Sequence, residues 1–377
     1  MSQSPSRPPR SPRPAPLAAV AALWAAAAAL AGLGCPAAPD APNTTPQCIY
    51  AAPDAPSCCV SGKGCTGGLW CNTRACACED IENPCGATTD GGLPTGNTPD
   101  AGPLPTGTVG TDGGTVERLW FATTGDTRPG NCDDTTAYPR AAITEIAKAM
   151  KALKVQFALD LGDHMYVCNG STSEAQIQMG YYTDAISGGP STFFMTMGNH
   201  ECGRFSSSGG YSGCFGSFAD ANYDTYLAAL GRPKPYYSFD VTTNAGLARF
   251  VVIADDAWNG AQNAWLQATL AEADTKAAYT IIARHHPTTG SRTGNVEILN
   301  TIEAHKYSLI LTAHSHQYAR GSDHGGRAPI IGIGGAPGST PPGFATILQQ
   351  TDGALQFTLR DAVGNPVGAP WVVTARQ

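Results

Sequence analysis

The stretch Val155-Gln-Phe-Ala-Leu-Asp-Leu-Gly-Asp-His-Met-Tyr166 decides the fold, because an apolar run leads here directly into a polar loop. Residues 155–161 predict a buried β-strand. Gly162 and Asp163 follow at once, so a carboxylate is presented where the strand ends. In open α/β sheets, binding sites form at the carboxyl ends of strands. The stretch therefore predicts an α/β fold with a site at one edge of its sheet.

Four further segments repeat this arrangement, and all five carry side chains that suit metal ions. The other four are Gly125-Asp126-Thr-Arg128, Gly198-Asn199-His200-Glu201, Arg284-His285-His286-Pro287 and Ala313-His314-Ser-His316. Carboxylate, amide oxygen and imidazole together suit borderline divalent or trivalent ions, and the set exceeds what one tetrahedral ion needs. Two ions that share a bridging carboxylate are therefore expected, a pair that can clamp both the attacking and the leaving oxygen of an in-line displacement.

The region around these segments alternates short apolar strands with helical stretches. Apolar residues at helical spacing predict helices over 141–153 and near 262–273, and a hairpin is expected around Thr243-Asn-Ala-Gly246. Further strands are predicted over 119–122, 193–197, 236–241, 248–254, 279–283, 308–312, 329–334 and 346–359. The pattern predicts an α/β domain over residues 116–377, a mixed β-sandwich flanked by helices, and leaves the strand order open.

In this order the five segments resemble the motifs of the calcineurin-like metallophosphoesterase superfamily, over about residues 117–350. The segment Gln262-Asn-Ala-Trp-Leu266 is also similar to a QxxWL helix of that superfamily. The resemblance implies a di-metal hydrolase of phosphate esters, in which a metal-bound hydroxide attacks phosphorus in line. A phosphodiesterase or pyrophosphatase at the same site stays open, as does a binding or adhesion lipoprotein with little activity.

The same resemblance implies a role for each residue. Asp126 and His316 would hold the first metal, and Asp163 would bridge the two ions. The second metal would be held by Asn199, His285 and His314. His200 matches a histidine that touches the substrate and can act as general acid. His286 is expected behind the site or on the surface.

Two departures from the family pattern concern the first metal. Arg128 stands where many members have a histidine ligand, so one expected ligand is missing. Tyr166 resembles the tyrosine ligand of purple acid phosphatases, whose first segment likewise lacks that histidine. A phenolate would favour Fe(III), with Zn, Mn or Fe as the divalent ion opposite. The alternative is two divalent ions, with Tyr166 only packing over the loop.

The side chain of Arg128 has two possible partners at this stage. It would contact a phosphate as a bidentate donor, or form an ion pair with Asp133 or Asp134. His164 lies within the same set of motifs and is a second candidate for a phosphate contact.

The amino-terminal residues 1–34 have the pattern of a signal peptide. Three arginines precede an uncharged run of mostly Ala and Leu over residues 17–33. Cys35 follows small residues and resembles the acylated cysteine of bacterial lipoproteins, which implies export and a lipid anchor on the outer side of a bacterial membrane. An uncleaved membrane helix is the alternative.

The segments between Cys35 and the catalytic region differ in composition. Residues 35–47 form a tether, residues 48–85 hold eight of the 13 cysteines, and residues 86–115 form a Gly-, Pro- and Thr-rich linker without apolar periodicity. In an exported chain the eight cysteines indicate a small disulfide-rich module, with a zinc module as the rival. The formal net charge of −7 argues against general binding of nucleic acid.

Four later cysteines allow three disulfide pairings. Cys132 lies six residues after Asp126 and Cys168 five residues after Asp163, so both are expected to leave the same sheet edge. Cys202 and Cys214 flank one Gly- and Ser-rich loop. We therefore expect the pairs Cys132 with Cys168 and Cys202 with Cys214, which would staple the loops that carry the ligands.

Overall fold

The computed structural model describes residues 69–72, 77–80, 103–168, 170–202, 204–205, 211–212, 221–289, 294–320, 323–336 and 341–375. The predicted signal peptide and tether lie outside these ranges, as do most of the cysteine-rich module and most of the linker. Among the helices that are described, none is both long and apolar enough to cross a membrane. The signal peptide and the lipid anchor therefore stay predictions.

The chain divides into two compact units, residues 1–87 and residues 88–377. The described part of the first unit is an antiparallel pair of strands, β1 (Leu69–Asn72) and β2 (Ala77–Asp80). Their register sets Cys71 opposite Cys78.

The second unit contains the helices and all the other described strands. Its helices are α1 (Arg140–Ala152), α2 (Thr172–Ile186), α3 (Ala221–Leu230), α4 (Gly260–Lys276) and α5 (Asn295–Glu303). Its strands are β3 (Gly113–Thr115), β4 (Trp120–Thr124), β5 (Phe157–Asp160), β6 (Phe193–Met195), β7 (Arg204–Phe205), β8 (Tyr211–Ser212), β9 (Tyr237–Thr243), β10 (Gly246–Val252), β11 (Ala277–Ala283), β12 (Leu309–Leu311), β13 (Tyr318–Ala319), β14 (Ile330–Ile331), β15 (Gly343–Gln349), β16 (Leu355–Asp361) and β17 (Trp371–Val373).

Most of these strands form two mixed sheets. One sheet has the order β12-β11-β10-β9-β3 and the other the order β17-β16-β15-β4-β5-β6. In the second sheet β4, β5 and β6 are parallel, and in the first β10, β11 and β12 are parallel. Parallel neighbours bring their carboxyl ends to one edge, which is where the predicted ligand segments begin.

Aromatic side chains fill the space between the two sheets. The ring of Phe157 on β5 meets the ring of Phe250 on β10 edge to face, with centroids 5.3 Å apart. Phe194 on β6 stacks on Phe239 of β9 at 3.6 Å. Such pairs contribute roughly 0.5–1.5 kcal/mol each beyond the burial of their area. The sheets therefore pack face to face as a sandwich.

Helices cover both outer faces of this sandwich. Met150 of α1 packs with Trp120 on the outside of the six-stranded sheet. Leu266 of α4 and Ile298 of α5 pack with Val251 on the outside of the five-stranded sheet. The predicted fold class, a mixed β-sandwich flanked by helices, is confirmed.

Three local expectations differ from the structure. The single strand predicted over 346–359 is a hairpin, β15 and β16, whose turn contains Gly353 at a φ of 87°. Helices α2, α3 and α5 were not predicted. Before α2, Ser171 accepts a hydrogen bond from the backbone N–H of Glu174, the pattern of an N-cap. Strand β3 lies in the predicted linker, because its backbone pairs with β9 and needs no apolar periodicity.

Candidate metal centre

Four of the predicted ligands lie in sharp turns directly after strands. Asp126 follows β4, Asp163 follows β5, and both His314 and His316 follow β12. All four have a positive φ, between 52° and 71°. Residues other than glycine rarely adopt this conformation, which costs on the order of 1–3 kcal/mol each. The surrounding structure must therefore hold these turns in place, as is common at functional sites.

Asp126, Asp163 and His316 form the first cluster, called site 1 below. One ligand atom from each lies within 4.8 Å of the others. Asp126 is fully buried, and among the described residues neither of its carboxylate oxygens has a hydrogen-bond partner. This burial raises the pKa of Asp126 to about 7. A buried carboxylate without donors is costly unless a cation pairs with it, so site 1 has the character of a cation site.

Asp163, His285 and His314 form the second cluster, called site 2 below, with ligand atoms again within 4.8 Å of one another. Asn199 Oδ1 lies 3.0 Å from both His285 Nε2 and His314 Nδ1. His285 Nδ1 lies 2.7 Å from the carbonyl oxygen of Leu161 and donates to it. That bond leaves the lone pair of Nε2 directed at the cluster, as a metal ligand requires.

Asp163 belongs to both sites. Its Oδ1 lies 3.3 Å from His285 Nε2, on the side of site 2. Its Oδ2 lies 3.4 Å from the Nε of Arg128, on the side of site 1. A carboxylate whose two oxygens face different ligand sets is arranged as a bridge. The six residues brought together, Asp126, Asp163, Asn199, His285, His314 and His316, fit two ions in donor type and number.

Two glycines let the backbone approach these carboxylates closely. A Cβ atom at Gly332 would overlap Asp126 Oδ2, and a Cβ atom at Gly198 would overlap Asp163 Oδ1. Only glycine leaves room for both acids at these positions.

Tyr166 lies beside site 1, against His200 and Arg128. Its ring lies against the ring of His200, with centroids 4.2 Å apart, and the guanidinium of Arg128 lies 4.6 Å from its centroid. The structure thus places Tyr166 against His200 and Arg128, and ligation through its oxygen stays a prediction.

Arg128 contacts the predicted ligands directly. Its Nε lies 3.4 Å from Asp163 Oδ2, and its Nη2 lies 3.1 Å from His316 Nε2. Its ion-pair partner is therefore Asp163, rather than Asp133 or Asp134 as one alternative expected. The phosphate contact stays a prediction.

The His200 imidazole is buried beside Asp163. Burial lowers its pKa to about 3. Its Nε2 lies 3.7 Å from Asp163 Oδ2, and its backbone N–H donates to Asp163 Oδ1 at 3.1 Å. These contacts place the His200 ring next to the predicted bridging carboxylate, and its role toward the substrate stays a prediction.

Glu201 holds two ligand loops together, a role that sequence reasoning missed. Its Oε2 accepts hydrogen bonds from the backbone N–H groups of Asp163 and Gly198, at 2.9 and 2.7 Å. Its Oε1 accepts from those of His164 and Met165, at 2.6 and 3.1 Å. The sequence signal that could have indicated this role is an acidic residue directly after Asn199 and His200.

His164 lies beneath the site and makes no contact with it through its ring. The ring is fully buried between Asp160, at 3.1 Å, and Glu201, at 3.5 Å. Burial alone would lower the pKa of His164, but the two carboxylates outweigh it and raise the pKa to about 10. The ring is therefore closed off from solvent and faces two carboxylates, which argues against the suggested phosphate contact.

Further charged residues support site 2 from behind. His286 Nε2 lies 2.8 Å from Asp256 Oδ2, and the ring of His286 lies 4.2 Å from that of His314. Arg284 is buried and pairs with Asp255 at 3.1 Å. His286 therefore lies behind the site, as expected. The two aspartates were missed, although a pair of acids directly after the apolar run 248–254 was a signal for them.

One disulfide joins two ligand loops. Cys132, after β4, is bonded to Cys168, after β5, with Cα atoms 5.5 Å apart, and this predicted pair is confirmed. Cys202 is also disulfide-bonded, but Cys214 lies outside the described residues, so the second pair stays a prediction.

A family model described as calcineurin-like phosphoesterase matches residues 119–318 of the chain. This span contains all seven residues predicted as metal ligands. A search of curated proteins by sequence gave no match.

Several solved structures are similar in fold. A dimetal phosphatase from Danio rerio is 14% identical, with a TM-score of 0.48, over 68% of this chain and 99% of that one. The anchor in the inner membrane complex of Plasmodium is 15% identical, with a TM-score of 0.49, over 69% and 90%. A purple acid phosphatase from yellow lupin (Lupinus luteus) seeds is 16% identical, with a TM-score of 0.47, over 68% and 54%.

Proposed function

This chain belongs to the calcineurin-like phosphoesterase family, and from that premise we propose that it is a di-metal hydrolase of phosphate esters. The observation that carries the proposal is Asp163, whose two oxygens face site 1 and site 2. When bound, two ions would supply Lewis-acid polarisation of the phosphoryl group and a nucleophile from water near neutral pH. They would be held by Asp126, Asp163 and His316 in site 1 and by Asp163, Asn199, His285 and His314 in site 2.

Other residues of the site would act on the substrate. The His200 ring, beside Asp163, would donate an N–H hydrogen bond to the leaving oxygen. The planar guanidinium of Arg128 would hold non-bridging phosphate oxygens in a bidentate contact. The Cys132–Cys168 disulfide and the four hydrogen bonds to Glu201 would keep the loops in place, which supports catalysis by preorganisation.

A substrate panel tests this function. The purified protein, loaded with Mn(II) or Zn(II), is assayed with p-nitrophenyl phosphate, bis-(p-nitrophenyl) phosphate, nucleotides and pyrophosphate. We expect hydrolysis of at least one of these, loss on chelation and recovery when metal is returned. A metal-loaded protein that hydrolyses none of them would contradict the proposal and favour a binding lipoprotein.

We further propose that Tyr166 ligates Fe(III) in site 1, opposite a divalent ion. A phenolate is a hard anionic donor, and a trivalent cation strongly favours that form. Protein expressed with iron should therefore be coloured, with a visible band that Tyr166→Phe bleaches. The measurements are the visible spectrum and the metal content of both proteins.

The matched control for Tyr166→Phe is Tyr223→Phe, because Tyr223 lies on α3 and outside the predicted ligand set. Its spectrum should equal that of the wild type. A colourless, iron-free and fully active wild type would remove the iron assignment and leave two divalent ions.

We also propose export and a lipid anchor through Cys35, since residues 1–35 resemble a lipoprotein signal. Labelled palmitate should be incorporated by the wild type in a bacterial host and not by Cys35→Ser. Equal labelling of the two proteins would contradict the anchor.

A further inference from the structure

Two contacts, with Pro129 and with Tyr166, hold the guanidinium of Arg128 beside site 1. Its Nη1 donates to the carbonyl oxygen of the adjacent Pro129 at 2.9 Å. Its charged group also lies 4.6 Å from the centroid of the Tyr166 ring, within the range of a cation–π interaction. The side chain is only 13% exposed. These two contacts keep a positive charge close to site 1 whatever its other donors bind.

The remaining donors of the guanidinium contact two residues of site 1, His316 and Asp163, and Asp163 is shared with site 2. Nε reaches Asp163 Oδ2 and Nη2 reaches His316 Nε2, both of them ligand atoms of site 1. In the part of the chain that the structure describes, no contact joins Arg128 to Asn199, His285 or His314 of site 2. The positive charge is therefore placed unevenly between two sites that share Asp163.

We propose that Arg128 makes the two sites unequal, by lowering the affinity for a cation more in site 1 than in site 2. A cation in site 1 would lie beside a fixed positive charge, because the guanidinium is held there by Pro129 and Tyr166. In a partly buried site such repulsion is only weakly screened. When only a divalent ion is supplied, site 2 would then fill first, and site 1 would fill only at higher concentrations of that ion. The inference rests on the proposed function, because it concerns how that metal centre is loaded.

Two backgrounds separate the sites in the full-length protein. His314→Gly removes a ligand of site 2, and His316→Gly removes one of site 1. Glycine suits both positions, because both have a positive φ. Each background is combined with Arg128→Gln, and binding of Mn(II) is followed by the electron paramagnetic resonance signal of the free ion. Mn(II) is chosen because it prefers oxygen ligands, so cysteines elsewhere compete little.

The expected result differs between the backgrounds. With site 2 disabled, Arg128→Gln should tighten Mn(II) binding by roughly tenfold or more, since a nearby like charge is removed. With site 1 disabled, the same change should tighten binding by only about twofold, since Arg128 reaches site 2 only through Oδ2 of the shared Asp163. Equal tightening in the two backgrounds would overturn the inference. Arg128→Lys keeps the charge and should bind nearly as weakly as the wild type. Arg140→Gln, which removes a half-exposed arginine paired with Asp184, is the matched control and should change neither constant.

Two further outcomes would overturn the inference in different ways. Wild-type protein that binds two ions, with a site 1 constant that neither Arg128→Gln nor Arg128→Met tightens, would overturn the inference alone. Wild-type protein that binds no Mn(II) would overturn the proposed function together with the inference. Thermal unfolding followed by circular dichroism confirms that each variant is folded. If either Arg128→Gln or Arg128→Met does not fold, the other neutral replacement still tests the inference.

Discussion

Asp163→Asn should release bound metal and slow phosphoester hydrolysis by orders of magnitude, with both losses occurring together. Asp163 contributes a ligand atom to each of the two clusters, so the change removes a negative charge from both sites at once. An amide also has only one good acceptor atom where the carboxylate offers two. The measurements are metal content after gel filtration and turnover of the best substrate.

The control for this change must be an aspartate far from any contact of the site. Asp160, three residues earlier, is unsuitable, because it accepts from the Gly162 backbone and the Tyr182 hydroxyl and pairs with His164. Asp184 at the end of α2 has a side chain that is 71% exposed, so Asp184→Asn should change neither quantity. Full turnover and full metal content in Asp163→Asn would show that the di-metal assignment is wrong.

Glu201→Gln should lower the free energy of unfolding by about 2–6 kcal/mol. The NH2 group of the glutamine would face two of the four backbone N–H groups that now donate to the carboxylate, and each unsatisfied N–H group costs about 1–3 kcal/mol. The carboxylate is fully buried and accepts from Asp163, Gly198, His164 and Met165. The change also removes a negative charge beside the buried His164 imidazolium. Urea unfolding followed by circular dichroism gives the loss, and metal content shows whether the loops still hold their ligands.

Glu145→Gln on the exposed face of α1 is the matched control, and its unfolding midpoint should equal that of the wild type. An unchanged midpoint and unchanged metal content in Glu201→Gln would mean that Glu201 does not hold the two loops. If Glu201→Gln is destabilised but still binds two ions, the role of Glu201 is limited to the stability of the fold.

The local patterns predicted the strands that precede the ligands, because each strand is a short apolar run buried on both faces. The strand at 155–161, followed by Gly162 and Asp163, is the clearest case. Strand boundaries were predicted less well where backbone hydrogen bonds to a neighbouring strand, rather than burial of apolar side chains, determine the strand. Residues 113–115 form β3 through backbone bonds to β9, which a composition of Gly and Thr does not reveal.

The sequence by itself determined which residue types stand at the ends of the strands, and in which order along the chain. It also predicted the Cys132–Cys168 disulfide, because each cysteine follows a ligand loop at nearly the same spacing. The residue types at the strand ends are local features, since they depend on residues within a few positions of one strand. The disulfide also required the expectation that two strands end at the same edge of the sheet.

Only the tertiary structure decided the direction of each side chain and the partners that come from distant segments. His164 is next to Asp163 in the chain, yet it points into a buried pair of carboxylates. Arg128 pairs with Asp163 across 35 residues rather than with the acids close to it in sequence. The physical reason is that strand order and left-handed turns set which loops meet, and long-range packing rather than local propensity selects both.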